Sequence, residues 1–476
     1  MSRSVSVAAL ALALSACAVG PDYVRPEAPA PVQFERADAE VFTSAAAEAE
    51  FWHRFGDPML TSLVDDALAA NHDLRVALAR YEQARALLRH TRYDRYPTVT
   101  ASGSVGHGRS SADQLPGVPR EERDGESHEI AVEAGWELDF FGRVRRAVEA
   151  GSAEVDASAA ELAAAQVSVV AELARSYFEL RGLQDQLRVA KENADNQRGT
   201  MELVDARLDA GRGTQLDASR ARAQLESTLA LLSSLEAEVA AATHRIAVLT
   251  GRPPAALITE LEAPSESPAL PDQVATGVPS ELLRRRPDVV AAERRLASAT
   301  ARIGVATADL FPRFTLGAMI GSQAASASDL FERDSETRVI ALGIDWSFLD
   351  AGRVRARIAA ADAEAAANMA RYEQTILQAL EETENALVRY VHVQRERAHL
   401  EEAAAAGADA ARLARLRYDG GVADFLQVLD AERSQLEIED RLVQARARGA
   451  TALVAVYRAL AGGWPDRMPQ ALAKSG

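Results

Sequence analysis

The 476-residue sequence holds a single cysteine, Cys17. One thiol makes neither an intrachain disulfide nor a thiolate metal cluster. The eight histidines are scattered without a HExxH or comparable pair. No glycine-rich phosphate loop is present, and no serine stands in a nucleophile-elbow pattern. Catalysis has no visible seat, so the chain is expected not to be an enzyme and to need no metal or cofactor. Basic charge is also in deficit: 53 Lys+Arg against 70 Asp+Glu give a formal net charge of −17, which the phosphates of nucleic acid would repel. The run Arg284-Arg285-Arg286 reads as a solvated helix start. Beyond the N-terminus no apolar stretch approaches the roughly 20 residues of a membrane helix. A chain of this kind that crosses a bilayer must do so as strands.

The lone cysteine follows "MSRSVSVAALALALSA", a basic residue, a short apolar run and small residues. That is the layout of a secretory signal over 1–16. The ending "LSAC" resembles a bacterial lipobox, which makes Cys17 the expected lipidation site and covalent lipid the only expected attached group.

Proline is missing between Pro119 and Pro253 and again between Pro312 and Pro465. What fills those gaps is written twice. "WELDFFGRVRRA" from Trp136 returns as "WSFLDAGRVRAR" from Trp346, and "RLDAGRGTQLD" from Arg207 returns as "RYDGGVADFLQ" from Arg417, both at an offset of 210. A repeat of this length makes each half one structural unit: helix, strand, loop, strand, very long helix, glycine-containing turn, helix. The segment 129–140 alternates strictly. Ile130, Val132, Ala134, Trp136, Leu138 and Phe140 share one face, and Glu129, Ala131, Glu133, Gly135, Glu137 and Asp139 the other. Segment 340–348 does the same, and 98–105 and 314–322 alternate more softly. Strands of about 10 residues, apolar on one side, suit a tilted crossing of a bilayer. Tyr96, Trp136, Phe140, Phe141, Phe311, Trp346 and Phe348 gather at the strand ends as an interfacial girdle requires. A soluble hairpin packed on helices is the other reading of the same pattern. Four strands cannot close a barrel, and an open edge in lipid is costly. Several chains sharing one barrel would resolve this.

About 65 residues from Arg143 read as one helix, on the order of 100 Å at 1.5 Å per residue. The next helix carries a heptad seam of Leu225, Leu232, Val239 and Ile246 with Leu235, Ala242 and Leu249. Sharp turns follow each long helix. Gly211, Gly213, Gly420 and Gly421 are expected to supply positive φ there, and Asp217 and Asp424 to cap the helices that follow.

These residues resemble the TolC-like outer-membrane efflux proteins of tripartite systems, in their lipoprotein (NodT/OprM-like) branch. The likeness rests on "CAVGPDYVRP", on "FWHRFGDPMLTSLVDDALAANHDLRVALARYEQARA", on "ELLRRRPDVVAAERRLASATARIGVATADLFP" and on the duplicated motifs. It covers essentially the whole mature chain. It implies a mainly α, α+β fold: a homotrimer with a 12-stranded barrel, four strands per chain, continuing into a 12-helix periplasmic α-barrel. The segments then fall out as signal peptide 1–16, lipidated extended segment 17–50, first repeat 51–270, second repeat 271–465 and tail 466–476. The first repeat holds a hairpin at about 96–141 and long helices at about 143–250; the second holds a hairpin at about 311–349 and long helices at about 353–461. The implied function is a passive, gated outer-membrane duct. Its implied partners are further copies of itself, a periplasmic adaptor (membrane fusion) protein, an inner-membrane pump reached through that adaptor, and outer-membrane lipid.

Within "RYDGGVADFLQVLDAER" the resemblance makes Leu426 the hydrophobic constriction, Asp430 an acidic ring, and Tyr418 and Arg433 latch groups. On the residues alone, Leu426 also reads as a buried seam leucine, Asp430 and Arg433 as a local surface pair, and Tyr418 as a turn cap. Ala423 and Gln427 stand where relatives can carry Arg and Asp, so closure is expected to lean on apolar packing. Glu129, Glu133, Glu137 and Asp139 are expected to face an acidic, cation-preferring lumen. The alternative reading is a periplasmic lipoprotein coiled-coil scaffold without a pore.

Overall fold

The structure, a computed structural model, describes residues 18–27, 31–45, 50–263, 270–271 and 273–461. The expected signal segment, Cys17 and the 466–476 tail lie outside the described residues. In chain order the main elements are β1 (Phe42–Thr43), α1 (Pro58–Ala70), α2 (His72–Tyr93), β2 (Thr98–Arg109), β3 (Asp124–Leu138), α3 (Arg143–Asp209) and α4 (Gln215–Leu249). A short α5 (Ile258–Glu262) and β4 (Val274–Ala275) lead into α6 (Pro279–Arg285), α7 (Pro287–Ala308), β5 (Arg313–Ala324), β6 (Glu336–Asp345), α8 (Ala351–Asp419) and α9 (Phe425–Ala459). The order helix, helix, strand, strand, long helix, helix therefore occurs twice, and α4 and α9 are both 35 residues long. The proline-free gaps are filled by α3, of 67 residues, and α8, of 69.

The chain divides into two compact units. Of the described residues, the first comprises those within Met1–Glu27, Arg80–Ala159 and Ala291–Glu373, and the second those within Ala28–Ala79, Ala160–Val290 and Gln374–Gly476.

The first unit carries a four-stranded antiparallel sheet in the order β2-β3-β5-β6. Register sorts its residues into two faces, because directly paired residues share a side. Val132 pairs with Ala101 and Ile320, and Trp136 with Leu316, which in turn pairs with Leu342. On the opposite face Glu133 pairs with Thr100 and Met319, and Glu129 with Ser104 and Gln323. The strands run further toward the loops than the alternation suggested, and β3 stops at Leu138 rather than Phe140. There the Phe140 amide turns back to donate to the Leu138 carbonyl at 2.8 Å, and Gly142 takes a φ of 83° ahead of α3.

The second unit holds the main hydrophobic core. Phe51 stacks on Tyr457 with centroids 4.7 Å apart, and Phe55 meets Phe178 at 4.6 Å. Leu60, Val170, Leu173, Ile246, Leu387, Leu453 and Val456 close around them. A two-residue parallel ladder between β1 and β4 ties the chain's early segment to this core. Asp57 caps α1, accepting from the Met59 amide at 2.9 Å and the Leu60 amide at 3.1 Å. Its other oxygen accepts from the Tyr177 hydroxyl. Burial first, and then that bond to a carboxylate, push the Tyr177 pKa up to about 12.

Two expectations need correcting here. Arg286 is not a solvated residue: it is buried and ion-paired to Asp288 at 2.6 Å and Glu382 at 2.8 Å, and it donates to the Ala459 carbonyl at 3.0 Å. Burying a guanidinium demands such partners, and of these only Asp288 is near in sequence; Glu382 and Ala459 come from elements too distant to be read from a basic run. The absence of a membrane-length apolar stretch also fails as stated. One 18-residue window of α3 is long and apolar enough by composition, though 56 % of it is buried within the chain.

Candidate channel wall and gate

The first candidate site is the sheet itself. Among the described residues nothing covers its apolar face: Ile340 is 83 % exposed, Ile344 63 % and Ile320 59 %. That observation rejects the reading of a soluble hairpin packed on helices, because such a face would be buried. A contiguous patch of isoleucine, leucine and valine this large needs an apolar partner. At the strand end the two repeats use the same anchor. The Trp136 indole donates to the Arg95 carbonyl at 3.0 Å, and the Trp346 indole to the Leu310 carbonyl at 3.1 Å. Amphipathic tryptophans of this kind mark a membrane–water boundary.

The polar face carries the expected lumen acids, and the structure separates them into two kinds. Glu137 is held bidentately by Arg143, with N–O distances of 2.8 and 2.6 Å. Asp139 lies beyond the strand, where it accepts from the Val144 and Arg145 amides at 3.1 and 3.0 Å and from the Arg145 side chain. It is the anchor of the α3 N-terminus, so neither residue contributes free negative charge. Glu129 and Glu133 have no ion-pair partner among the described residues. Of the four acids expected to line a lumen, two are thus paired within the chain, for a reason the alternation could not reveal: the arginines of "GRVRR" fold back onto the strand end.

The second candidate site is the pair of helical turns in the second unit. Gly211 and Gly421 take φ of 68° and 73°. The turns are built alike. The Arg212 amide donates to the Arg207 carbonyl at 2.8 Å, and the Val422 amide to the Arg417 carbonyl at 3.0 Å, which ends each helix in the six-to-one bond of a left-handed cap. Gly213 and Gly420 do not take positive φ. Gly213 is needed for a close approach, since a Cβ there would stand 3.0 Å from the Leu208 amide nitrogen. Asp424 caps α9, accepting from the Gln427 amide at 3.1 Å. The α4 cap, however, is Thr214 rather than Asp217, which sits three residues on and accepts from the Thr214 hydroxyl at 2.6 Å. A threonine outcompetes the aspartate because the helix starts one residue after it.

Helix α9 then presents two faces. Phe425 and Val428 are buried at 3 % and 1 %, whereas Leu426 is 49 % exposed. Leu426 is therefore not a seam leucine. Asp430 and Arg433 share its exposed face and meet each other at 3.3 Å, the local pair that spacing allowed. Tyr418 does more than end a turn. Arg207, from α3, lies 4.0 Å over its ring, and both terminal guanidinium nitrogens reach its carbonyl at 3.4 Å. Phe425 packs on the ring's other neighbourhood, with centroids 5.6 Å apart. Below this cluster the nearly buried Glu432 accepts from Arg415 at 2.6 Å and from Thr200 at 3.4 Å. Arg207, Arg415, Phe425 and Glu432 were missed by sequence reasoning. The first had a signal: it occupies the position in the first repeat that Arg417 occupies in the second.

An uncovered apolar sheet face, a polar reverse side and long hairpin helices define a class, the outer-membrane channel proteins with periplasmic helices. The match to known proteins makes the assignment definite. The outer membrane efflux protein family model matches residues 63–252 and 278–462, and the chain belongs to that family. It is an outer-membrane efflux protein. OprJ of Pseudomonas aeruginosa is 34 % identical over 97 % of this chain and 96 % of its own length. The solved outer-membrane channel OprN superposes with a TM-score of 0.89 at 42 % identity, covering 94 % of this chain and 100 % of that one. The open state of the MtrE outer-membrane channel of Neisseria gonorrhoeae superposes at 0.81 with 29 % identity, covering 94 % of this chain and 98 % of that one.

Proposed function

We infer that this chain forms the exit duct of a tripartite efflux system as a homotrimer, and that it is a passive pore rather than an enzyme. The observation that carries the reading is the four-stranded sheet with its uncovered apolar face and its two unpaired edge strands, β2 and β6. An open edge in lipid leaves a row of backbone groups unsatisfied. Three copies joined edge to edge supply twelve strands, an even number that closes a barrel. The long helices of three copies then form a 12-helix α-barrel, and each chain contributes two repeats, 51–270 and 271–465. Signal peptide 1–16 is removed, and lipid on Cys17 begins the extended segment 17–50.

The exposed Leu426, with Asp430 and Arg433 beside it, lines the constriction, where three leucines close the path by excluding water. Tyr418, clamped by Arg207, holds the α8–α9 turn in the closed arrangement. A periplasmic adaptor docks on the helical ends and links the duct to an inner-membrane pump. The test is to isolate the protein from outer-membrane fractions. A heat-resistant trimer carrying palmitate that is lost in Cys17→Ser supports the reading. A soluble monomer after delipidation would favour the periplasmic scaffold instead.

A further inference from the structure

A cleft of about 580 Å³ lies in the first unit, lined by Tyr23, Arg92, Arg95, Ser152, Asp156 and Arg294 among others. Its charges are unequal in standing. Arg294 is committed to Glu293 at 2.5 Å and lies 5.7 Å over the Tyr23 ring. The Tyr23 hydroxyl also donates to Glu293. Glu149, at the cleft wall, is committed to Arg146 at 2.8 Å. Among the described residues Arg92 and Arg95 have no side-chain partner, and Asp156, whose charge acts on Arg294 across the cleft, makes no hydrogen bond or ion pair. The cleft therefore offers two uncommitted guanidinium groups and one uncommitted carboxylate.

Position says what reaches it. Trp136 stands on the apolar face of β3, and its indole bonds the Arg95 carbonyl at 3.0 Å, so the end of α2 lies beside the lipid-facing side of the sheet. Tyr93 and Tyr96, at 64 % and 65 % exposure, bracket Asp94 and Arg95, and tyrosine and arginine gathered at a strand's start are the residues of a headgroup layer. The other wall is the chain's early segment. Arg146 donates to the Val19 carbonyl at 3.2 Å and to Asp22 at 2.7 Å.

We propose that this cleft binds the phosphoethanolamine headgroup of a phospholipid in the periplasmic leaflet. The guanidinium groups of Arg92 and Arg95 take the phosphodiester, for which their planar donor forks are suited. Asp156 takes the primary ammonium. A choline headgroup has no N–H to give Asp156, and a glycerol headgroup has no cation for it. The uncommitted carboxylate thus selects the amine. The proposal rests on the outer-membrane reading, since it needs the end of α2 at the lipid boundary.

The test uses the full-length trimer in detergent, with phospholipid adducts counted by native mass spectrometry. Phosphatidylethanolamine, phosphatidylglycerol and phosphatidylcholine of identical acyl chains are offered, and inorganic phosphate is the soluble competitor. The expected order is phosphatidylethanolamine above phosphatidylglycerol above phosphatidylcholine. Arg92→Gln with Arg95→Gln should weaken phosphatidylethanolamine binding roughly thirty-fold, as loss of two arginines at a headgroup layer implies. Asp156→Asn should erase the preference for ethanolamine over glycerol. Arg212→Gln, in the α3–α4 turn, should change neither. If the double glutamine variant does not assemble, Arg92→Lys with Arg95→Lys retains the charge, and the Asp156→Asn ratio decides alone. Equal binding of the three lipids, an Asp156→Asn protein that still prefers ethanolamine, or displacement by millimolar phosphate alone would overturn the proposal. Failure of the outer-membrane reading shows differently, as a wild-type protein that does not insert into vesicles of any composition.

Discussion

Four side chains, in two pairs, carry distinct consequences at the scale of single residues. Arg207 and Tyr418 bring together α3 and the end of α8 through a cation–π contact at 4.0 Å. Such a contact is worth about 0.5–1 kcal/mol when partly exposed. Arg207→Ala and Tyr418→Ala should each raise the open fraction of the pore, and the double variant should add little to either single one. Additive effects in that cycle would mean the two act separately. Asp57 serves two partners, the α1 amides and the Tyr177 hydroxyl. Asp57→Ala should therefore cost about 2 kcal/mol or more, a lost cap plus an unsatisfied buried hydroxyl, read as a lowered unfolding midpoint. Tyr177→Phe should cost less, since the cap survives. The Tyr177 pKa also fixes a pH dependence. It rises from an ordinary 10.0 to about 12 on folding, so its contribution is full below the unfolded value and is lost as pH rises through the folded one. Alkaline melting between those limits should be steeper in the wild type than in Tyr177→Phe; identical profiles would contradict the assignment.

Among the elements, the two turns separate glycine from glycine. Gly211→Ala and Gly421→Ala force a side chain into the left-handed region that each occupies, at about 1 kcal/mol apiece. Gly420→Ala meets only ordinary contacts, 3.4 Å to the Leu416 carbonyl oxygen at the nearest, and should melt as the wild type does. Thermal shifts that failed to rank the variants this way would reject the turn geometry. Much of this scale was legible in the sequence. Period-two alternation located all four strands of the larger sheet but not β1 or β4, missing proline and repeated motifs located α3 and α8, and the heptad seam found Leu225, Leu235, Ile246 and Leu249, all buried. What escaped was pairing at a distance. Nothing local says that Arg143 neutralises Glu137, that Arg286 is buried against Glu382, or that Glu432 is sheltered by Arg415. Charge alternation gives the face of a strand, whereas the partner that cancels a charge is set by how the following helix turns back. The difference is measurable in the sheet. Glu129→Gln with Glu133→Gln should reduce cation preference in reversal-potential measurements, while Glu137→Gln should reduce it little. Equal effects would mean that Arg143 does not hold Glu137.

For the molecule as a whole, the repeat joins these parts into one account. One unit of helix, hairpin, long helix and helix, written twice, places two strand pairs in one sheet and two left-handed turns in the second unit. Among the described residues neither the sheet's edges nor its apolar face is satisfied, and the proposed assembly in a membrane would stabilise what folding alone leaves exposed. The most direct test of this account is the single-channel conductance of the purified trimer in a planar bilayer, wild type beside a Leu426→Ala, Asp430→Ala variant. The account predicts a small, rarely open wild-type conductance that rises several-fold in the variant. Equal conductances would place the constriction elsewhere, and the absence of conductance from both proteins would contradict the pore itself.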